Sequence, residues 1–113
     1  MAMNSAALTA AGEGFRTAFP YLSIHTSGSV GSSGSESTAG RVTAEWVNTD
    51  GTLTTAARTF TGGEPSGPAV RVGYWSAASG GTYGGGTLLT GDVVFNSAGT
   101  YRVDSITETG SST

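Results

Sequence analysis

His25 is the only imidazole in this 113-residue chain, and two hydroxyls, Ser23 and Ser27, flank it. A serine beside a histidine is the minimal nucleophile pair, because the imidazole takes the hydroxyl proton while an acid holds the ring in place. Here that acid would have to be distant in sequence. The residues favour the plainer alternative, a solvent-facing or hydrogen-bonded histidine on an exposed strand face. The carboxylates Glu13, Glu36, Glu45, Asp50, Glu64, Asp92, Asp104 and Glu108 could in principle pair for glycosidic chemistry. They are spread singly and read as solvated charges. Asn48, Thr49 and Asp50 offer oxygens to a calcium ion without the alternating spacing of a calcium loop. Gly84-Gly85-Gly86 is followed by neither a lysine nor a helix, so it is no phosphate loop. With no cysteine and one histidine, no thiolate or histidine-rich metal site is expected, and no cofactor is implied.

Composition narrows the classes further. There are 19 Gly, 15 Ser and 18 Thr, so nearly half the chain brings little apolar surface. Leu, Ile, Val and Phe together number 19, which borders on the composition of disordered chains. Two features oppose disorder: the net charge is only −3, and ten aromatic residues each bring about 150–250 Å² to bury. The expectation is one folded domain over 1–113 with a thin, aromatic-rich core that gains stability from neighbours. Five scattered Arg without Lys, in a chain with sequence pI ≈ 4.8, argue against nucleic acid or an anionic membrane as partner. Apolar runs are too short to span a bilayer, and Met1-Ala2-Met3-Asn4 lacks the charged start of a secretory signal. Synthesis in the cytoplasm is the expectation.

The elements that would position these groups follow from hydrophobic periodicity. Leu8, Ala11, Phe15, Ala18 and Phe19 fall at helical spacing, predicting a helix over about 5–19 that stops at Pro20. Gly12 and Gly14 each weaken it by about 1 kcal/mol, so its stripe must lean on the rest of the domain. From Tyr21 the period changes to two. Tyr21–Thr26 reads as a strand, residues 27–40 as a long flexible loop, and Arg41–Val47 as a strand facing Val42, Ala44 and Trp46 inward. Asn48-Thr49-Asp50-Gly51 is a hairpin turn, returning through Leu53 and Phe60. Ala69–Trp75 alternates Val70, Val72 and Tyr74 against Arg71, Gly73 and Trp75. Thr82–Thr90 returns, its glycines covered by Trp75. Strands over 92–95 and 100–107 and a tail over 108–113 complete the reading. The fold class expected is mainly β, a small antiparallel β-sandwich or barrel-like domain over about 21–107, with one N-terminal α-helix.

The segments "ALTAAGEGFRTAFPYLSIHTSGSVGSSGSE", "RVTAEW", "VRVGYWSAASGGTYGGGTLL" and "VVFNSAGTYRV" resemble a family of small tailed-phage virion proteins from phages of actinobacteria. The likeness covers about residues 6–106, and "YWSAASGGTY" at 74–83 is its most specific part. One departure lies in the 27–40 loop, which is richer in serine and lacks the Asp-Pro-Gly of the pattern. The resemblance implies a non-enzymatic virion part, described in that family as a capsid decoration, head fibre or minor tail protein, and carries over no catalytic residues.

The expected function is therefore a bacteriophage structural protein located in the virion. It would decorate or stabilise the capsid exterior, with minor tail or tail fibre protein as the alternative. The major capsid protein or other virion proteins, and further copies of the chain as a trimer, are the partners expected. Val30 and Glu36 in the loop, with Leu8 and Phe15 on the helix, are the candidate interface residues. The loop has too little apolar surface to order itself, so it is expected to become ordered on a neighbour, and deleting residues 28–35 is expected to leave the domain folded. A carbohydrate-binding module is the remaining alternative. It would use Tyr74, Trp75 and Tyr83 as candidate surface aromatics whose rings stack on sugars.

Overall fold

The computed structural model describes residues 5–90 and 93–109. Within them the chain is mainly β, with one N-terminal helix followed by short strands that pair antiparallel in three open sheets. None of the sheets closes on itself, so the arrangement is sandwich-like and not a barrel.

Helix α1 spans Ser5–Ala18 and ends at Pro20 as its sequence requires. Its inward stripe differs from the expected one. Leu8, Phe15 and Phe19 are half-buried, Ala11 and Ala18 are exposed, and Gly12 is buried in their place. The reason is close approach: a Cβ on Gly12 would stand 2.8 Å from Asn48 Nδ2, so the helix can pack here only without a side chain. Asn48 lies on β3, Val47–Thr49, which pairs with β4, Thr52–Thr54. Between these strands Asp50 and Gly51 both have positive φ, 51° and 86°, the backbone of a tight two-residue hairpin. Leu8 sits directly against that turn.

The main sheet is built from β1 (Tyr21–His25), β2 (Val42–Thr43), β6 (Arg71–Trp75) and β7 (Tyr83–Leu88), in the order β2-β1-β6-β7. Register between β1 and β6 pairs Leu22 with Tyr74, Ser23 with Gly73, Ile24 with Val72 and His25 with Arg71. Every residue of β6 is buried, so both faces of the sheet are covered at this central strand.

Four expected strands are cut differently; the one over 100–107 keeps only Tyr101–Val103 before Thr107 opens a separate strand. The 41–47 run breaks at Ala44–Trp46, where Glu45 takes φ 53°, so that its two ends serve β2 and β3 in different sheets. Ala44 and Trp46 are nonetheless buried as their alternation requires. The return over 52–61 also divides, into β4 and β5 (Arg58–Phe60), and β5 pairs with β8, Tyr101–Val103. Of the strand expected at 92–95, Val94 forms a single bridge to Pro68, while Asp92 lies outside the described residues. The expected tail is corrected as well: Thr107–Thr109 is β9, hydrogen-bonded to β4, and residues 110–113 lie outside the described residues.

The apolar core lies on one face of the main sheet. Leu22, Ile24, Val72 and Tyr74 meet Trp46, Leu53, Phe60 and Phe95 there, each at most 3% exposed. Phe15 joins the helix to this core through edge-on ring contacts with Trp46 and Tyr74, at centroid distances of 5.8 and 5.6 Å. The Trp46 indole N–H donates to Phe19 O at 3.0 Å, so the ring that anchors the core also caps the end of the helix.

Candidate functional site

The other face of the main sheet is polar and equally closed. Strand alternation puts Ser23 and His25 of β1, and Arg71, Gly73 and Trp75 of β6, on the side opposite Leu22 and Val72. The 27–40 loop folds over them. Ser23, His25 and Arg71 are each 0% exposed, so their polar atoms depend on protein partners.

Arg71 finds its partners in the loop backbone. Nε donates to Ser27 O at 2.9 Å, Nη2 to Gly34 O at 2.7 Å, and Nη1 to the Tyr83 hydroxyl at 2.8 Å. The Tyr83 hydroxyl in turn donates to Val30 O at 2.7 Å. Arg71 thus holds a surface loop at two points directly and at a third through Tyr83. Of the five arginines, Arg16, Arg41, Arg58 and Arg102 pair with carboxylates, whereas among the described residues Arg71 is held by neutral oxygens alone. Its charge is dispersed over carbonyl and hydroxyl dipoles.

His25 works alongside it. Gly34 O can only accept, so the 2.8 Å contact places the ring proton on Nδ1 and leaves Nε2 as acceptor for the Ser23 hydroxyl at 2.6 Å. Ser23 Oγ receives the Trp75 indole N–H at 2.8 Å. Burial pushes the His25 pKa down from its ordinary value, and the nearby Arg71 charge acts in the same direction. A serine and a neutral histidine within hydrogen-bond distance form the elementary nucleophile pair. Both lie beneath Trp75, Tyr83 and the loop with no accessible surface, so here the bond positions the ring.

The loop's far end is clamped from outside. Arg41 grips Glu36 with two hydrogen bonds of 2.8 and 2.9 Å, donates to Ala77 O and Gly80 O in the β6–β7 turn, and lies 3.8 Å over the Trp75 ring. Backbone bonds from Thr26 N to Ser35 O and from Ser37 N to Ile24 O, both 2.8 Å, extend β1 into the loop.

This corrects the expectation of a flexible segment awaiting a neighbour. Residues 27–36 are exposed, yet their own domain fixes their backbone. Val30 is 36% exposed and holds Tyr83 through its carbonyl, while Glu36 is committed to Arg41. Leu8 and Phe15, both half-buried, pack within the domain against Gly51 and the aromatic core. Ser27 bonds through Oγ to Ser35 Oγ at 3.0 Å. The three aromatics are not an exposed platform: Tyr74 is 2% and Trp75 8% exposed, and only Tyr83 is half-buried. Tyr74 and Trp75 sit on opposite faces of β6, which no common sugar could bridge. The expected cover of the glycine strip also differs, since Phe19 lies against Gly84 and Tyr83 against Gly86.

Of the residues considered for calcium, Asn48 is engaged, its amide nitrogen with the helix and its oxygen with the turn. Asn48 donates to Thr9 O and Glu13 Oε2 and accepts from Gly51 N. The Asn48 amide, and behind it Arg16, holds the Glu13 carboxyl below the usual range. Among the described residues no three His, Asp or Glu side chains gather as metal ligands. An open groove of about 380 Å³ runs between the end of β7 and the β8–β9 segment, past Leu89, Arg102 and Ile106; Arg102 is paired with Asp104.

Sequence reasoning missed Arg71 as the organiser of this layer. The available signal was parity: Arg71, Gly73 and Trp75 alternate in one strand as Ser23 and His25 do in its partner. Charge on such a stripe reads as solvent exposure until a covering loop is known. No family model, curated protein or solved structure matches the chain.

Proposed function

We propose that the protein is a non-enzymatic structural component of a tailed-phage particle. In this reading it decorates the capsid exterior and contacts the major capsid protein through the outward face of residues 27–36. The observation that carries the reading is the use made of the buried Arg71 and His25, both of which hold a Ser/Gly surface loop in one shape. Burying a guanidinium is costly, and a fold that does so to fix a loop points to the loop's shape as what matters. A preorganised, nearly uncharged backbone surface suits contact with another protein, since little ordering entropy remains to be lost on docking. The resemblance of residues 6–106 to small virion proteins supports the same class, and the trimer is proposed with it.

Cryo-electron microscopy of intact particles tests the proposal. Density for this domain on the outer shell, in groups of three with residues 27–36 at the contact, is the expected result. Density confined to the tail makes the protein a minor tail or tail fibre component, and absence from purified particles overturns the virion reading altogether.

A further inference from the structure

Two of the bonds that hold the loop converge on one atom. Gly34 O accepts from Arg71 Nη2 at 2.7 Å and from His25 Nδ1 at 2.8 Å, so a permanent cation and an imidazole share one carbonyl. This arrangement is built for a neutral ring. With Nε2 a bare acceptor, Ser23 gives its hydroxyl proton to the ring and receives the Trp75 N–H. Once Nε2 is protonated, Ser23 faces two N–H donors and its own hydrogen loses its acceptor.

Of the surrounding charges, Arg71 and Arg41 oppose an imidazolium and Glu36 favours it, with Arg71 the largest of the three. Arg71 from β6 shares its carbonyl, and Arg41 at the loop's end adds a second positive charge. Glu36 is the carboxylate in range, but both its oxygens are held by Arg41. Tyr83 from β7 meets the ring edge-on at 5.8 Å, and Trp75 lies parallel to it at 6.4 Å, neither offering negative charge. Burial, above all, keeps the ring neutral, and the Arg71 charge reinforces it against the Gly34 carbonyl.

We propose that His25 is an acid-sensitive clasp whose protonation releases the 27–36 loop from the main sheet while the β core stays folded. Release is local because the apolar core lies on the opposite face of β1 and β6 and contains neither His25 nor Arg71. It relieves both cations at once: Gly34 O moves away, and water reaches the imidazolium and the guanidinium. The sign follows from linkage. In the released state the solvated ring takes a proton at its ordinary value of 6.5, and in the clasped state only at lower pH. Above about 6.5 the clasp is indifferent to pH, and below it opening grows by up to about tenfold per pH unit until the clasped ring also titrates. The inference goes beyond the virion reading and does not depend on it.

Nuclear magnetic resonance on the full chain tests this directly, because a single imidazole gives unambiguous ring resonances. Protection factors for the Thr26 and Ser37 amides, which bond Ser35 O and Ile24 O, are followed from pH 7.5 to 5.0 beside those of β6. The expected result is constant protection above about pH 6.5 and a fall of up to about tenfold per unit below it. The β6 amides stay protected, and the dependence disappears in His25→Gln. If His25→Gln does not fold, coincidence of the wild-type ring titration with the loss of loop protection decides. Unchanged protection down to pH 5.0 overturns the proposal, as does simultaneous loss in loop and β6. A fall that persists in His25→Gln and vanishes in Glu36→Gln would assign the release to the Glu36–Arg41 pair and overturn it as well.

Discussion

Gly73 leaves the room that His25 occupies: a Cβ on Gly73 would stand 2.5 Å from His25 Nε2, with Tyr83 Cε1 at 2.8 Å and Ser23 Oγ at 2.9 Å. None of these atoms is free to retreat, because the ring is bonded at both nitrogens and covered by the loop. The polar layer therefore depends on a missing side chain in the middle of the sheet's most buried strand. Gly73→Ala is expected to destabilise the domain by about 1–3 kcal/mol, the usual cost of overpacking a closed site. Urea denaturation measures it, and an unchanged midpoint would show that the ring can move aside.

The loop is a structural partner of the sheet, which reverses what its composition suggests. Removing residues 28–35 takes away Gly34 O and Val30 O and strips Arg71, His25 and Tyr83 of acceptors. Water then takes the place of those acceptors, as it does in the released state, and the net cost is that of the lost intramolecular hydrogen bonds, about 1–3 kcal/mol. The deletion variant is expected to keep a cooperative thermal transition at a lower midpoint than the parent. A cooperative melt matching the parent would mean that water replaces the loop at no cost.

Trp46 anchors the opposite face. It is 3% exposed, meets Phe15 and Tyr74 edge-on, and donates to Phe19 O. Trp46→Ala is expected to cost about 3–5 kcal/mol and to undock α1 from the core. Loss of the cooperative thermal transition in far-ultraviolet circular dichroism is the readout.

The β3–β4 turn carries the other end of the helix. A Cβ on Gly51 would stand 2.7 Å from Leu8 O, at a backbone φ of 86° that disfavours side chains. Gly51→Ala is expected to destabilise by about 2 kcal/mol or more, combining backbone strain with a clash against main chain. Asp50→Gly, which relaxes the turn without filling that space, is expected to be close to neutral by the same denaturant titration.

Tyr74 ties β6 to β9 by donating its hydroxyl proton to Glu108. Burial pushes its pKa far up, and the Glu108 carboxylate adds to the effect. The folded state thus refuses the ionisation that the unfolded chain accepts near pH 10. The Tyr74 contribution to stability is expected to be flat below that value and to fall above it by up to about 1.4 kcal/mol per pH unit. Tyrosinate absorbance should rise for this residue only together with unfolding; ionisation in the folded protein would contradict the buried bond.

By itself the sequence determined the helix, expected over about 5–19 and observed over Ser5–Ala18, the Asp50-Gly51 hairpin, the mainly β class and the burial of Trp46, Leu53 and Phe60. Each rests on a local rule of period, turn chemistry or apolar size. What only the tertiary structure decided is which polar residues lie inside. His25 and Arg71 alternate with Ile24 and Val72 as solvent-facing residues would, and Tyr74 and Trp75 look alike as aromatics on one strand. Their fates were set by a loop too poor in apolar groups to announce that it covers anything. That loop is held by its backbone carbonyls, Ser27 O, Val30 O and Gly34 O, and every residue type carries the same carbonyl. Side-chain pattern records what hydrophobic burial selects, and leaves unrecorded a contact in which one partner is main chain.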